Sequence, residues 1–595
     1  MNGNDYQLIA DADALRRVCA ELANRDAVGF DTETTSLDPY RGRMRLVQFS
    51  DGATSFLIDL DRFRHNGDDL KRSAALAPLR ALFAAPRPVK VAHNAKFDAK
   101  WVAHDLGVEI IGLFDTLLGS QLISAGEQED RHSLEAVAAR YLDETVDKSE
   151  QLSDWGGELS ESQLQYAARD AALMLPLRER MIARLRADDL VRCAQLEFEC
   201  VLPVAGLELA GIYLDKDRWR EQMVIVEKRR ATLAEDLQSM LSEGTAQGSL
   251  FVNARVDINL DSHTQLSAAL KRLGVPVPDS TRNWKLQPLA AQYPVVEKLL
   301  EYRTVQKSLT SYGANILDDI NPVTNRVHAN FHQIGAPTGR FSCTKPNVQQ
   351  VPHSIEYRRC FRAPEGRKLI IADYSQIELR ILADFTGDQG FIDAFISGAD
   401  LHRVTAAQVF NVPLDEVSAD QRSFAKRLNF GVVYGIGAQR FSMMTGLSLT
   451  EAEDILRRYF ATYRALDTWL REAARQAVRE RTAPRTVAGR LARFNFDAAD
   501  KQAVSLAQRN GKNSPIQGSS ADILKRALRL LHDRLSGTSA SIVNIVHDEI
   551  VVEADAGRAE ETAKIVEEAM CAAGEEYITR VPVKVESEVA DEWVK

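Results

Sequence analysis

Cysteine is scarce. The six in 595 residues (Cys19, Cys193, Cys200, Cys343, Cys360 and Cys571) include no C-x2-C pair, which excludes the usual structural zinc patterns. They read as reduced, buried thiols of a cytoplasmic protein. No apolar run approaches the roughly eighteen residues of a membrane span, so no membrane partner is expected, and the N-terminal MNGNDYQ lacks a signal-peptide core. Pro/Gly-rich linkers, internal repeats and low-complexity tracts are missing too. So is net positive charge: 74 Lys+Arg against 84 Asp+Glu leave −10. That balance argues against a nucleic-acid partner only if charge is evenly spread. It is not. Lys216–Arg230 carries six basic residues, and Arg471–Arg493 carries seven arginines against two glutamates. Such stripes either track phosphates or form solvated helix faces.

The length allows three or four domains with ample core. The most informative stretch is Lys368–Gly387, KLIIADYSQIELRILADFTG. Leu369–Ala372 has strand length and ends in Asp373; an amphipathic helix follows, bearing Ile377, Ile381, Leu382 and Phe385 on its buried face. Ser375 and Glu378 have the spacing of a capping box, so the helix is expected to start there. Alone, a strand-end Asp373 merely solvates a turn. A second segment, Ser541–Glu553, has β-rich runs on either side of His547-Asp548-Glu549, the pattern of a hairpin tip. It reads as an ordinary turn or, with Asp373, as a carboxylate pair needing a cation. Between them Arg422, Lys426, Phe430 and Tyr434 fall at steps of four on one helical face. Two cations and two rings suit a nucleoside triphosphate, or equally a helix with core aromatics and solvated cations.

The N-terminal 190 residues form a separate α/β pattern. Strand Ala27–Phe30 runs into Asp31-Thr32-Glu33, whose two carboxylates share one side. Leu46–Ser50 and Phe56–Ile58 read as partner strands. Val89–Ala92 leads to His93-Asn94-Ala95-Lys96-Phe97-Asp98 and a helix. Ser160–Gln163 opens a long helix with Tyr166 and Asp170 one turn apart. Asp115 reads as structural.

DYSQIELR at Asp373–Arg380, R-x3-K-x3-F-x3-Y-G at Arg422–Gly435 and VHDE at Val546–Glu549 resemble the three signature motifs of family A DNA polymerases, in the arrangement of the bacterial polymerase I large fragment. Thr338–Arg340 with Pro346–Gln349, Asp400–Arg403 and Asn513–Gly518 resemble further segments of that family. D-x-E, N-x2-F-D and Y-x3-D of the N-terminal part resemble DnaQ-like 3′–5′ exonucleases of the DEDD type with tyrosine.

The resemblance implies an α/β DnaQ-like (RNase H-like) exonuclease domain (1–190) followed by an α+β right-hand polymerase. Its parts would be a mostly helical thumb (191–325), palm (326–400 and 506–595) and fingers (401–505). It implies two Mg²⁺ ions per active site, about 3.5–4 Å apart, with Mn²⁺ able to substitute. Asp373, the Tyr374 carbonyl and Asp548 would ligate them in one site, with Glu549 a catalytic residue adjacent to the metals; Asp31, Glu33, Asp98 and Asp170 would do so in the other, with Tyr166 orienting water. Arg422, Lys426 and His402 would contact the triphosphate of a deoxynucleotide, Lys426 as proton donor to pyrophosphate, while Phe430, Tyr434 and Gln376 shape the pocket. Phe430 implies discrimination against dideoxynucleotides. Glu378 has two compatible readings, capping residue and steric gate against ribose.

Arg340, Arg509, Asn513, Gln517, Asn347, Gln349 and His547 would contact primer–template DNA, and Leu37 and Asn94 a frayed primer end. Phe341, Cys343 and Gln350 depart from the family pattern. The chain starts directly at the exonuclease, so no 5′-nuclease domain is expected. A monomer is expected, with a processivity factor, helicase or single-strand-binding protein as candidate partners. Two rivals are an exonuclease with an inert binding platform and a single-subunit RNA polymerase. The first conflicts with intact Asp373, Asp548 and Lys426, the second with Glu378 and the exonuclease residues.

From Leu190 the periodicity predicts helices over Ala194–Leu209, Arg218–Leu241, Gln265–Leu273 and Leu286–Ile320, with Glu243–Ser249 and Pro276–Ser280 as loops. Without a linker, this part is expected to pack on the exonuclease.

Overall fold

The computed structural model describes residues 5–64, 70–126, 131–146, 148–242, 258–277, 280–352 and 354–594. The predicted loop Glu243–Ser249 lies outside them.

Six strands build the N-terminal sheet: β1 (Tyr6–Ile9), β2 (Ala27–Thr34), β3 (Met44–Ser50), β4 (Ser55–Asp59), β5 (Val89–Ala92) and β6 (Leu113–Asp115), in the order β1-β4-β3-β2-β5-β6. β3 pairs antiparallel with β2 and β4, while β5 runs parallel to β2 and β6. Every residue of β3 and β4 is buried, as covered strands must be. One cover is the helix Glu161–Ala187, which starts at the predicted capping box: Ser160 Oγ accepts from Gln163 N–H at 3.2 Å and Gln163 Oε1 from Ser160 N–H at 2.9 Å. It lies so close to β2 that a Cβ on Gly29 would meet the Ala171 carbonyl at 2.0 Å. The glycine lets the helix bearing Tyr166 and Asp170 approach the strand bearing Asp31 and Glu33.

After a two-stranded ribbon of β7 (Asn330–His332) and β8 (Ser342–Thr344) comes the second main sheet. It comprises β9 (Arg367–Tyr374), β10 (Ser541–Val546), β11 (Glu549–Asp555) and β12 (Val585–Ala590), antiparallel throughout in the order β10-β11-β9-β12. The helix Ala559–Glu575 packs on β9 and β12. The predicted hairpin forms at β10–β11, with His547 and Asp548 as its turn and His547 in the left-handed region (φ 57°).

Three predicted elements differ. The helix after β9 starts at Ile377, not at a Ser375–Glu378 capping box: Gln376 precedes it in left-handed conformation (φ 57°) and caps nothing. Ser375 N–H is spent instead on the Lys584 carbonyl. Ala194–Leu209 is two helices, Val191–Glu199 and Val201–Ala210, because Pro203 has no N–H to give the Glu199 carbonyl. Leu286–Ile320 breaks into Asn283–Leu286, a turn at Gln287–Leu289, Pro294–Tyr312 and a turn at Ala314–Asp319, punctuated by Pro288, Pro294 and Gly313. The helix Lys216–Ser242 and the helix His263–Arg272 lie where the periodicity places them. A 35-residue helix, Lys501–Leu535, runs unbroken through position 505, so fingers and second palm segment would share it.

The N-terminal unit is packed against the rest, as expected without a linker. Lys96 Nζ donates to Glu208 at 2.6 Å and to the Phe331 carbonyl at 2.5 Å, and Lys100 Nζ to Glu208 at 2.7 Å. Deeper, fully buried Glu197 pairs with Arg490 at 2.5 Å and with Lys525, and Arg490 pairs with Asp522 at 2.8 Å. Lys525 Nζ also donates to the Gly339 carbonyl at 2.7 Å. Five of the six cysteines are buried and all are free thiols. Among the described residues no helix is long and apolar enough to cross a membrane.

Candidate active sites

At the β9–β11 end of the second sheet opens a cleft of ≈ 450 Å³. The register sets Glu549 opposite Asp373, so Asp548 in the turn stands beside Asp373 at the cleft floor. Burial, then the Asp373 charge, pushes the Asp548 carboxyl up to about 7. The helix Ala419–Val433 forms the facing wall: Arg422, Lys426, Phe430 and, at its C-cap, Tyr434 all line the cleft. The step of four places them on one face. His402, Gln376, Glu378, Tyr374, Arg340 and His547 complete the lining.

Charges here are poised. Lys426 makes no ion pair with any described residue. Arg422 Nε donates to Asp400 Oδ2 at 2.5 Å. Burial works against ionised Asp400, but Arg422 and the N–H groups of His402 and Arg403 outweigh it and hold its carboxyl below the usual range. Burial pushes His402 down to about 4, so the ring is neutral, and Asn429 Nδ2 lies 3.0 Å from its Nδ1. Glu378 accepts from Arg340 Nη2 and, at 3.1 Å, from the Tyr434 hydroxyl. Burial raises its carboxyl more than those two partners lower it. These tertiary partners, not a helix cap, hold Glu378.

Not every predicted residue faces this cleft. Glu549 is buried behind it, accepting from Trp593 Nε1 at 2.8 Å, with Arg358 3.9 Å away. Asn347 Oδ1 accepts from Gln349 N–H at 3.2 Å, and Gln349 Nε2 donates to the Ile545 carbonyl on β10 at 3.2 Å. Asn513 and Gln517 line an adjoining cavity of ≈ 580 Å³ with Thr338, where Asn513 Oδ1 and Thr338 Oγ1 are buried without a hydrogen-bond partner. Arg509, one turn before Asn513, packs beside Gly435.

The second cluster sits over β2. Asp31 and Glu33 come from the strand, Asp98 from the helix Ala95–Trp101, and Tyr166 and Asp170 from the long helix. Burial and then the neighbouring carboxylates drive Asp31 and Glu33 well above their usual range. Burial likewise takes Asp98 to about 7, although Thr32 Oγ1 donates to it at 2.6 Å. Asp170 also reaches about 7 by burial, against the pull of Tyr166. Gln48 Nε2 donates to Glu33 at 3.3 Å. Asp115 is structural as predicted, capping Thr116–Ser124 and accepting from Asn94 and Ala95 N–H. Asn94 (φ 62°) and the exposed Leu37 line a neighbouring cavity of ≈ 460 Å³.

Among the described residues no three His, Cys, Asp or Glu stand as a ready-made metal chelate. What fits a cation is the charge: each site gathers buried carboxylates that destabilise one another when ionised, and Asp170 Oδ1 is buried with no hydrogen-bond partner. Sequence reasoning assigned no role to Asp400, Asn429 or Thr32. Only Asp400 carried a signal, the helix-capping pattern of Asp before Leu401–Phe410.

Residues 227–595 match the family model described as DNA polymerase family A, and residues 6–186 the one described as 3′–5′ exonuclease. DNA polymerase I of Pseudomonas aeruginosa is 31% identical over 99% of this chain and 66% of its own length; DNA polymerase I of Aquifex aeolicus is 32% identical over 99% and 100%. The chain thus spans about two thirds of the first relative and all of the second. A solved structure described as the POL domain of Pol1 from M. smegmatis, in complex with DNA primer-template and dNTP, superposes with a TM-score of 0.84 at 26% identity, covering 99% of both chains. With its two parts matched in sequence and one relative spanned end to end, the chain belongs to DNA polymerase family A and is a DNA-directed DNA polymerase with a 3′–5′ exonuclease domain.

Proposed function

We propose that the cleft at Asp373 and Asp548 joins a deoxynucleotide to a primer 3′ end, and that the cluster over β2 removes mispaired 3′ ends. The observation that carries this is the meeting of two carboxylates with Arg422, Lys426, His402, Phe430 and Tyr434, drawn from four separate elements, in one cleft. We assign residues 1–190 to the exonuclease, 191–325 to the thumb, 326–400 and 506–595 to the palm, and 401–505 to the fingers.

Asp373, Asp548 and the Tyr374 carbonyl would hold divalent cations, Mg²⁺ in the first instance, as would Asp31, Glu33, Asp98 and Asp170. When bound, such ions neutralise charge on the transferring phosphoryl group and ease deprotonation of the attacking hydroxyl or water. The chain's own part is positioning and charge. Arg422 and Lys426 receive the triphosphate, and neutral His402 offers a ring N–H to it. Lys426 is the candidate proton donor to the departing pyrophosphate. Phe430 and Tyr434 form the floor under the base, and Glu378, pinned by Arg340 and Tyr434, stands against the sugar. Asn513, Gln517 and Arg509 would follow the duplex, whose minor groove offers a degenerate pattern that suits copying any sequence. Glu549, bonded to Trp593 behind the cleft, supports the hairpin and stays off the reacting atoms. In the second site Tyr166 orients water against the last phosphodiester, and Leu37 and Asn94 hold the unpaired end. Mispairs unpair at lower cost, which selects errors without reading them.

The test is primer extension and single-strand degradation by the wild type, Asp373→Ala and Asp548→Ala. Extension should vanish in both variants while degradation persists. Extension at the normal rate in either refutes the assignment.

A further inference from the structure

Asp400 joins two parts of the cleft wall through a single carboxylate. Its Oδ1 accepts from the N–H groups of His402 at 2.9 Å and Arg403 at 3.2 Å, capping the helix Leu401–Phe410. Its Oδ2 accepts from Arg422 Nε at 2.5 Å, on the neighbouring helix Ala419–Val433. Arg422 is itself partly exposed (45% of its side chain), and this is its ion pair in the structure. Because the bond uses Nε, the two terminal nitrogens of the guanidinium are left for the cleft that Arg422 lines. His402 is held from the other side by Asn429 Nδ2, 3.0 Å from Nδ1, so its ring does not depend on Asp400 alone.

We propose that Asp400 is a positioning residue for nucleotide binding: it fixes Arg422 so that both terminal nitrogens face the triphosphate before the nucleotide arrives. This rests on the reading of the cleft as the nucleotide site. An unpaired arginine keeps much of its rotamer freedom and loses it on binding phosphate; a tethered one has lost it already. The opposing effect, partial neutralisation of Arg422 by Asp400, would make Asp400→Asn lower the KM, so the direction of the KM change decides between the two.

Asp400→Asn separates the tether from the cap. Asparagine caps helices as well as aspartate does. Its single oxygen can serve His402 and Arg403, which leaves the NH₂ group facing Arg422, unable to accept. In steady-state primer extension with the full chain, Asp400→Asn should raise the deoxynucleotide KM by about three- to tenfold, within the range that immobilising one rotamer-rich side chain on binding spans. The inhibition constant of pyrophosphate should rise in parallel, with kcat within about twofold of wild type. Exonuclease rate and unfolding midpoint should stay unchanged, which a merely structural residue would not allow. In an Arg422→Ala background Asp400→Asn should add nothing. An unchanged or lower KM in Asp400→Asn, while Arg422→Ala raises it, overturns this inference alone. An unchanged KM in Arg422→Ala overturns the reading of the nucleotide site and this inference with it.

Discussion

If Glu378 stands against the sugar, admitting a ribonucleotide requires moving it, and the structure says what that costs. Its carboxylate accepts from Arg340 and from the Tyr434 hydroxyl, and its side chain is only 9% exposed. Each bond to a buried charged group is worth about 1.5–3 kcal/mol. Displacing the side chain therefore costs about 3–6 kcal/mol, a selectivity of about 10²–10⁴-fold at 1.36 kcal/mol per decade. Glu378→Ala removes the obstacle and both bonds. It should erase most of that preference, read as the ratio of kcat/KM for deoxy- over ribonucleotides in single-nucleotide extension. Glu378→Gln is the sharper probe. Glutamine keeps the shape and can still accept from Tyr434, but it loses the charged pairing with Arg340, so it should lose about half the logarithm of the preference. A graded order Glu > Gln > Ala supports a wall whose strength is set by its anchors. A glutamine variant as permissive as alanine refutes the anchoring argument, and an unchanged ratio in both refutes the gate itself.

Phe430→Tyr adds a hydroxyl to the cleft floor that can stand in for the missing 3′-OH of a dideoxynucleotide. Incorporation of dideoxynucleotides should rise by about two- to tenfold, the worth of one hydrogen bond between neutral groups, and no rise removes Phe430 from the pocket. Asp31→Ala with Glu33→Ala should abolish single-strand degradation, leave extension intact and raise the misincorporation frequency; an unchanged frequency would show that the second site does not proofread. The carboxylates of that site make a pH prediction. Asp98 and Asp170 are raised to about 7, and Asp31 and Glu33 also lie above their usual range. Raised carboxyls favour the folded state below their unfolded values near 4, and that contribution is lost as pH rises through about 7. In chelator the protein should thus lose stability from these groups between about pH 4 and 7, and Mg²⁺ should raise the unfolding midpoint more at pH 8 than at pH 5. Equal increments at the two pH values would contradict the cluster's charge. Lys525→Met leaves fully buried Glu197 with one cation, Arg490, which Asp522 also claims. Breaking such a pair costs about 3–5 kcal/mol, and an unchanged denaturant midpoint would show that the cluster contributes little.

What could be read from the sequence and what could not divides along a physical line. The capping box at Ser160–Gln163, the hairpin tip at His547-Asp548 and the one-face spacing from Arg422 to Tyr434 depend on residues a few positions apart, and all three stand as expected. Ser375 and Glu378 have the same local pattern as Ser160 and Gln163, yet no cap forms, because Glu378 is claimed by Arg340, 38 residues away, and by Tyr434, 56 away. Local signals therefore hold only where no tertiary partner outbids them, and a carboxylate beside a functional cleft is where such partners gather. The two carboxylate clusters became legible through a family resemblance, since periodicity alone left Asp373 and Asp548 as candidate turn residues. The Glu197–Arg490–Asp522–Lys525 cluster had no such route. Its members lie up to 328 positions apart, and only Arg490 falls in a segment the sequence singles out, the arginine-rich stretch Arg471–Arg493, where it reads as a phosphate-tracking or solvated cation and is instead buried in ion pairs. Yet that cluster reaches Gly339 through the Lys525 bond to its carbonyl, and a Cβ on Gly339 would come within 2.5 Å of the Arg490 guanidinium. The turn that presents Arg340 to Glu378 is thus shaped by charges buried beneath it, a set of ion pairs that ties the helix Val191–Glu199 to the helix Lys501–Leu535.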